Sequence, residues 1–188
     1  MSRIEPHPPK GMIRRATYKM AARKFDGVLP EPVPVTAHSV PVLVGWGVFE
    51  DRMEKAKAID RKLADLAVMK TAALTGCEWC LDFGSSVVPE SGVTEEQISE
   101  LPRFRESDAF DAREKLVLEY AEAMTRTPVE VSDELWERLA AEFSEPELVE
   151  LTAFIGIENY RARFNWALGI GSQGFAKAQQ CAIPETGN

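Results

Sequence analysis

The most constraining feature of the sequence is an apolar run over residues 66–74 that leads into the motif Gly76-Cys77-Glu78-Trp79-Cys80. Two cysteines three residues apart lie on one face if the segment begins a helix, within reach of a disulfide or a shared reagent. A thiol in a first helical turn also faces unsatisfied backbone N–H groups and the positive end of the helix dipole, which favour thiolate. The pattern therefore predicts a dithiol–disulfide couple. The alternative, two small buried apolar residues, stays open.

Size and charge limit the class of protein. A chain of 188 residues, 45% hydrophobic and 28% charged, fits a single globular domain over residues 1–188, with residues 1–35 as an N-terminal arm and first helix. The formal net charge of -8 argues against nucleic acid or an anionic membrane surface as a partner. No apolar run approaches the ~20 residues that a membrane-spanning helix needs.

The cysteine and histidine content bears on compartment and metal binding. The N-terminal residues carry no apolar signal core, which predicts a cytoplasmic protein, where a Cys-x-x-Cys pair is more often catalytic than structural. Three cysteines cannot all pair within one chain, so Cys181 is expected to take no part. A zinc site needs about four ligands, and His7 and His38 are both far from the motif in sequence. We expect no metal and no cofactor.

Hydrophobic periodicity predicts an all-α chain of about seven or eight helices. The strongest helix covers residues 59–75 and ends at Gly76 as its C′ residue, and the next begins near Cys77 and fades near Pro89. Further helices are predicted over residues 12–25, 39–53 and 108–124, from Thr94, after Ser132, and from Ser144 to about Ile170. No convincing strand alternation is present.

Two finer predictions concern the N-terminal third of the chain. Gly27, Pro30, Pro32 and Pro34 are expected to force an extended connection between the first two helices. The second helix is expected to bury its apolar residues, namely Val40, Leu43, Val44, Trp46 and Phe49.

The run Asp65-Leu66-Ala67-Val68-Met69-Lys70-Thr71-Ala72-Ala73-Leu74-Thr75-Gly76-Cys77-Glu78-Trp79-Cys80 resembles the signature of the carboxymuconolactone decarboxylase and alkylhydroperoxidase D superfamily. Residues 113–121, 148–151 and 158–165 also fit, so the resemblance spans about residues 36 to 170. It implies an alkylhydroperoxidase D-like helical fold in which the Cys-x-x-Cys opens a helix. It also implies a homo-oligomer, commonly a dimer, trimer or hexamer.

The resemblance further implies a chemistry. In the alkylhydroperoxidase branch a thiolate attacks the peroxide O–O bond, and the resulting sulfenic acid condenses with the second thiol to a disulfide. An external dithiol reductant restores the pair by exchange. By resemblance Cys80 attacks and Cys77 resolves, although helix-terminus electrostatics alone gives Cys77 at least an equal claim to the lower pKa. The expected partners are a peroxide or other small-molecule substrate and that external dithiol.

The sequence departs from the alkylhydroperoxidase D pattern at the proton relay. Those proteins carry a glutamate twelve residues before the first cysteine, a histidine just before the second, and a histidine four residues after it. Here the three positions hold Asp65, Trp79 and Gly84. Because a general base contributes ~10²–10⁴-fold, loss of both histidines is expected to lower peroxidase activity. Asp65 is retained as a candidate catalytic residue, and the candidate substitutes in the relay are Asp82, His38 and Glu114.

Three functions follow from these residues. The leading hypothesis is a thiol-dependent, peroxidase-like oxidoreductase. The second is a decarboxylase-like enzyme acting on a small organic acid or lactone, with vestigial cysteines, although that branch generally lacks the Cys-x-x-Cys pair. The third is a non-catalytic, redox-responsive oligomer.

Overall fold

A computed structural model describes residues 2–25 and 27–176, and over that part of the chain the protein is all-α, as predicted. The described residues form nine α-helices and two short 3-10 helices, Val88–Ser91 and Leu101–Arg103. The α-helices are α1 (Met12–Lys24), α2 (Pro32–Thr36), α3 (Val40–Met53), α4 (Arg61–Thr75), α5 (Glu78–Val87), α6 (Glu95–Glu100), α7 (Ala112–Thr125), α8 (Asp133–Glu142) and α9 (Glu145–Leu168).

Local signals define both ends of α4. The carboxylate of Asp60 accepts hydrogen bonds from the backbone N–H groups of Lys62 and Leu63 at 2.9 and 3.3 Å, which caps the N-terminus. Gly76 ends the helix with φ 66°, the left-handed conformation that only glycine adopts without steric cost. The backbone N–H of Cys77 then donates to Ala72 O at 3.1 Å, which completes a Schellman-type C-cap.

Helix α4 is the centre of the fold. Ten of its fifteen residues are buried, which is more than one helical face, so the helix must be covered on several sides. It packs against α5, α7 and α9. It supplies Leu66 and Met69 to one apolar cluster and Leu63 and Ala67 to a second, so it joins the two halves of the core.

Contacts at its two ends show that α4 and α9 run in the same direction. Near the start of α4, the Arg61 guanidinium lies over the Phe154 ring, 5.7 Å from its centroid. Near the end of α4, the indole N–H of Trp166 donates to Thr75 O at 2.7 Å. This parallel pairing brings the last turns of α9 beside the start of α5.

The predicted extended connection was wrong at α2. Pro32, Pro34 and the residues between and after them form a one-turn helix, Pro32–Thr36. Prolines are tolerated here because the first-turn N–H groups of a helix have no intrahelical acceptor. A rule that reads clustered prolines as extended chain misses this case.

The predicted burial of α3 was wrong for two residues. Leu43 is 5% exposed, as expected of a core residue, but Val44 and Phe49 are 44% and 45% exposed. Their helix rests on the molecule through Leu43 and Met53 and leaves an apolar face uncovered. The helical pattern was read correctly, but a pattern does not say whether a second apolar surface exists to cover that face.

Replacing Gly76 with alanine should lower the free energy of unfolding by about 1–2 kcal/mol, because a Cβ is disfavoured in the left-handed conformation. The matched control is Gly45→Ala in α3, where an added Cβ meets open space and helix propensity predicts a gain of about 0.5–1 kcal/mol. Urea denaturation measures both. Shifts of the same sign would contradict the backbone argument.

Candidate functional site

Cys77 and Cys80 lie at the start of α5, as predicted. Cys77 is the N-cap residue with extended backbone, and its sulfur accepts a hydrogen bond from the backbone N–H of Cys80 at 3.2 Å. The two Cα atoms are 5.2 Å apart and the sulfurs are joined in a disulfide. The pair is therefore placed for a dithiol–disulfide couple at a helix N-terminus.

The pair is almost completely buried. Cys77 is 2% exposed and Cys80 is 6% exposed, and both belong to the apolar cluster that contains Leu66, Met69 and Leu81. Apolar surroundings disfavour a thiolate and raise a thiol pKa. The reactivity of either sulfur thus depends on the polar donors that reach it.

One side chain from a distant helix reaches both sulfurs. The amide Nδ2 of Asn165, on α9, donates to Cys80 Sγ at 3.6 Å and to Cys77 Sγ at 3.8 Å. Asn165 is 1% exposed, and its Oδ1 has no hydrogen-bond partner among the described residues. No sequence motif singles out this residue, which is 85 and 88 residues away from the two cysteines along the chain.

Asp82 holds the segment that follows α9 against α5. We call residues 172–176 the C-terminal strap. The Asp82 carboxylate, fully buried, accepts four hydrogen bonds from it. The donors are Ser172 Oγ at 2.9 Å and the backbone N–H groups of Gln173, Gly174 and Ala176 at 2.8, 2.7 and 2.8 Å. Burial alone would raise the pKa of Asp82, but these hydrogen bonds to the charged form lower it below its ordinary value.

The strap also covers aromatic residues of α5. Trp79 stacks on Phe83 with ring centroids 4.8 Å apart, and Phe175 of the strap meets the Phe83 ring edge-on at 5.4 Å. The indole N–H of Trp79 donates to Gln173 Oε1 at 2.8 Å. Trp79 is thus a packing residue that ties the helix to the strap.

Packing explains why a histidine is absent four residues after Cys80. A Cβ added to Gly84 would overlap the sulfur of Met69, whose side chain fills that space. Met69 is fully buried. A histidine at this position would therefore require the end of the Met69 side chain to move or a different residue at position 69.

Asp65 lies on the second turn of α4, within the core. It is 6% exposed, and its Oδ1 accepts a hydrogen bond from Arg61 Nε at 2.9 Å. Burial raises the pKa of its carboxyl, and a hydrogen bond with Ser91 and the nearby Arg61 oppose that shift. Its polar partners are thus Ser91 and Arg61, and its part in catalysis stays a prediction.

His38 is placed by the N-terminal arm. Its Nε2 is 2.8 Å from the backbone oxygen of Glu5, and its ring meets that of His7 edge-on at 5.0 Å. These contacts give it a local structural role, and its part in a proton relay stays a prediction.

Glu114 belongs to the capping box of α7. Its carboxylate accepts from the backbone N–H of Asp111 at 3.0 Å and from Gln97 Nε2 at 3.1 Å, and it pairs with Lys62 at 2.6 Å. Of the predicted site residues, the structure therefore brings together the two cysteines, with Asp82 on the same helix. The relay role of Glu114 stays a prediction.

A buried acid that the sequence analysis missed lies two turns before Asn165 on the same helix. Glu158 is 3% exposed; its Oε2 accepts from Arg161 at 3.1 Å, and its Oε1 has no partner among the described residues. Arg161 also pairs with Glu50 of α3. Burial raises the pKa of Glu158 to about 7, against the lowering effect of Arg161. The sequence signal that could have indicated this buried acid is a run of polar residues among apolar neighbours on the helix.

Within residues 2–25 and 27–176, no three or more histidine, cysteine or acidic side chains are grouped to hold a metal ion. Over the same residues, no helix combines the length and apolar character needed to cross a bilayer. Cys181 lies outside the described residues.

Sequence comparison identifies relatives over much of the chain. The pattern of the carboxymuconolactone decarboxylase family matches residues 42–123. The uncharacterized protein YnjA of Escherichia coli (strain K12) is 37% identical over 153 residues, which are 81% of this chain and 79% of that protein.

Solved structures share the fold at lower identity. The debrominase Bmp8, in its apo form, superposes with a TM-score of 0.75 at 21% identity, covering 86% of each chain. An uncharacterized peroxidase-related protein from Ralstonia eutropha JMP134, described as an alkylhydroperoxidase AhpD core, also gives a TM-score of 0.75, at 18% identity over 93% of this chain and 94% of that one. These likenesses confirm the predicted fold and carry no activity over.

Replacing Asp82 with asparagine should loosen the strap, because an amide nitrogen would then face backbone N–H groups. We expect faster hydrogen exchange at Gln173, Gly174 and Ala176 and a loss of about 1–3 kcal/mol in unfolding free energy at pH 7. Because the folded pKa of Asp82 is lowered, its contribution is present above the ordinary value of 3.8 and disappears as the pH falls through the folded value.

The control for the strap experiment is Asp51→Asn on α3, where the exposed carboxylate pairs with Lys55 just beyond the end of the helix. It should leave the exchange of the strap amides unchanged. Unaltered exchange in Asp82→Asn as well would show that the strap is held by its other contacts, such as the Trp79–Gln173 hydrogen bond and the packing of Phe175.

Replacing Glu158 with glutamine should flatten the pH dependence of stability. Because the folded pKa is raised, the neutral acid is fully favourable below about pH 4.5, and the stability it contributes is lost as the pH rises through about 7. The wild-type protein should lose on the order of 3 kcal/mol over that interval from this group, and Glu158→Gln should not. Urea unfolding at pH 5 and pH 8 measures the difference.

The matched control is Glu147→Gln, at the start of the same helix. Hydrogen bonds from Ser144 and pairing with Arg113 lower the pKa of Glu147, so its contribution has the opposite sign and is present at neutral pH. Parallel pH curves for Glu158→Gln and the wild type would contradict the buried-acid argument.

Proposed function

The chain belongs to the carboxymuconolactone decarboxylase family, and on that premise we propose that it is a thiol-dependent oxidoreductase that reduces hydroperoxides through Cys77 and Cys80. The observation that supports this most is the bonded sulfur pair at the N-terminus of α5. Two proteins of the same fold are a debrominase and a peroxidase-related protein, which supports an enzymatic role in general.

The proposed reaction begins with the reduced pair. The Cys80 thiolate attacks one peroxide oxygen; the O–O bond breaks, and the alkoxide leaves as an alcohol after taking a proton. Cys80 is then a sulfenic acid, which Cys77 attacks; the S–S bond forms, and hydroxide leaves as water with the thiol proton. The two sulfurs lose two electrons and the peroxide gains them. An external dithiol returns two electrons and two protons by exchange.

The order of attack is taken from the family. Helix-terminus electrostatics alone favours a thiolate at Cys77, since it accepts a backbone N–H at the helix start. Cys80 is the more exposed of the two, at 6% against 2%. We retain Cys80 as the attacking sulfur and Cys77 as the resolving one, and the experiment below distinguishes them.

We expect the reaction to be slower here than in family members that keep the relay histidines. The two histidines, His7 and His38, contact each other and the N-terminal arm, and the family histidine position is occupied by Gly84 under Met69. Loss of a general base removes ~10²–10⁴-fold in rate. A small peroxide also has to reach two sulfurs that are nearly inaccessible in this structure.

Two further expectations remain proposals. A homo-oligomer is implied by the family, and the uncovered apolar face of α3, which includes Val44 and Phe49, supports self-association. A cytoplasmic location, where glutathione and thioredoxin systems supply dithiols, fits an external reductant. The decarboxylase-like and redox-responsive alternatives stay open and are separated by the assay that follows.

In a Cys181→Ser background, the reduced protein should lose two thiols per equivalent of cumene hydroperoxide, counted with a thiol reagent and confirmed by mass spectrometry. Cys77→Ser should stop at a sulfenic acid on Cys80 that dimedone traps. Cys80→Ser should react far more slowly and give no disulfide. A dimedone adduct on Cys77 in the Cys80→Ser variant, at the wild-type rate, would reverse the two roles.

Other outcomes favour the alternatives. Thiols that survive peroxide at neutral pH would contradict the peroxidase proposal. Turnover of a carboxylactone that persists with serine at both positions would support the decarboxylase-like enzyme. A subunit number that follows the reductant, without peroxide consumption, would support the redox-responsive oligomer.

A further inference from the structure

The buried amide of Asn165 bears on how this site works, on the premise that Cys77 and Cys80 are a redox couple as proposed above. It faces both sulfurs, with Nδ2 3.6 Å from Cys80 Sγ and 3.8 Å from Cys77 Sγ. The side chain is 1% exposed and surrounded by the apolar cluster of the core. Burying an amide in such a place is costly unless its hydrogen bonds are made.

The oxidised pair does not satisfy that amide well. A disulfide sulfur is a weak neutral acceptor, and Oδ1 of Asn165 has no donor among the described residues. An unmet buried acceptor costs roughly 1–3 kcal/mol. The hydrogen-bonding groups of Asn165 are thus only partly satisfied in the disulfide form.

Reduction supplies both missing partners. Two electrons and one proton convert the disulfide into one thiolate and one thiol, the electrons coming from the external dithiol. A thiolate is a strong, charged acceptor for Nδ2–H, and a thiol S–H is a donor for Oδ1. Asn165 therefore complements a half-protonated dithiol better than it complements the disulfide.

The two sulfurs differ in what else reaches them. Cys77 Sγ accepts the backbone N–H of Cys80 at 3.2 Å and caps the helix, so it has a donor without Asn165. Cys80 has no such backbone donor among the described contacts, and it is the sulfur closer to Nδ2. The family histidine that would otherwise serve it is replaced by Gly84.

We propose that Asn165 is a positioning residue that holds Cys80 as the thiolate of the reduced pair, with Nδ2 donating to Cys80 and Oδ1 accepting the S–H of Cys77. This amide takes the electrostatic part of the missing histidine but cannot take a proton itself. The site therefore holds a thiolate in an apolar core without a general base beside it. We expect Cys80 to be reactive as a nucleophile but the catalytic cycle to turn over slowly.

The test uses the full-length protein in the Cys181→Ser background, reduced and alkylated with iodoacetamide from pH 5 to pH 10, with adducts at Cys77 and Cys80 counted separately by mass spectrometry. Asn165→Leu keeps the volume and removes the donor. We expect the alkylation midpoint of Cys80 to rise by about one pH unit or more, and that of Cys77 to change less. Asn165→Asp, nearly identical in shape, should raise it further because its carboxylate repels a thiolate.

The control is Asn159→Leu, on the same helix and also buried at Oδ1, whose Nδ2 donates to Thr125 and Ile155 rather than to sulfur. It should lose stability as Asn165→Leu does but keep the wild-type alkylation profile. An unchanged Cys80 midpoint in both Asn165 variants, or an equal shift in Asn159→Leu, would overturn the proposal.

A second measurement separates this inference from the proposed function. Equilibration with dithiothreitol should show the disulfide of Asn165→Leu favoured about tenfold more than wild type at pH 8 and little changed at pH 5, where the thiols are protonated. Neither readout involves peroxide. If the protein does not react with hydroperoxides but shows these shifts, the peroxidase proposal is wrong and the role of Asn165 stands. If it reduces hydroperoxides but shows no shifts, the role of Asn165 is wrong and the peroxidase proposal stands.

Discussion

The left-handed turn at Gly76 is the constraint on which the site depends. Its φ of 66° lets Cys77 serve two helices at once, since its backbone N–H completes the C-cap of α4 and its side chain caps α5. The chain changes direction within one residue, so the sulfurs stay beside the most buried helix of the fold. Because α9 runs parallel to α4 and ends beside that turn, the same geometry brings Asn165 to the sulfurs.

Buried polar groups on α9 show where the core departs from simple apolar packing. Three of the side-chain atoms without a partner among the described residues, on Glu158, Asn159 and Asn165, lie within eight residues of this helix. Each is a cost to folding that better packing could remove. Such groups concentrate at functional sites, in keeping with the reduced dithiol proposed beside Asn165 and with the raised pKa of Glu158. Helix α9 thus both supports the core and carries three of the six buried side-chain atoms that have no hydrogen-bond partner among the described residues.

Local signals in the sequence were enough for the α-helices of the described residues other than α2, and for the position of the cysteines. The capping residue Asp60, the apolar stripe of α4 and the glycine after it all act within a few residues, so they can be read directly. The exposed face of α3 and the contacts of Asp65, His38 and Glu114 depend on which elements meet in space. Asn165 is the clearest case, since its partners are more than 80 residues away and a polar residue on a helix carries no sign of its neighbour. The strap was not predicted either, because it has no regular secondary structure that a sequence pattern could indicate.

Asp82 connects the strap to the helix that begins at the two cysteines. A carboxylate two residues after Cys80 would raise the pKa of that thiol if its charge were free. Its oxygens are instead occupied by four donors of the strap, which hold the charge on the side of α5 that the strap covers. The strap therefore stabilises the ionised form of Asp82 while it packs on Trp79 and Phe83, the aromatic residues of the helix that begins at the cysteines. The side-chain donor that reaches the sulfurs themselves is Asn165 on α9, a helix that packs against α4.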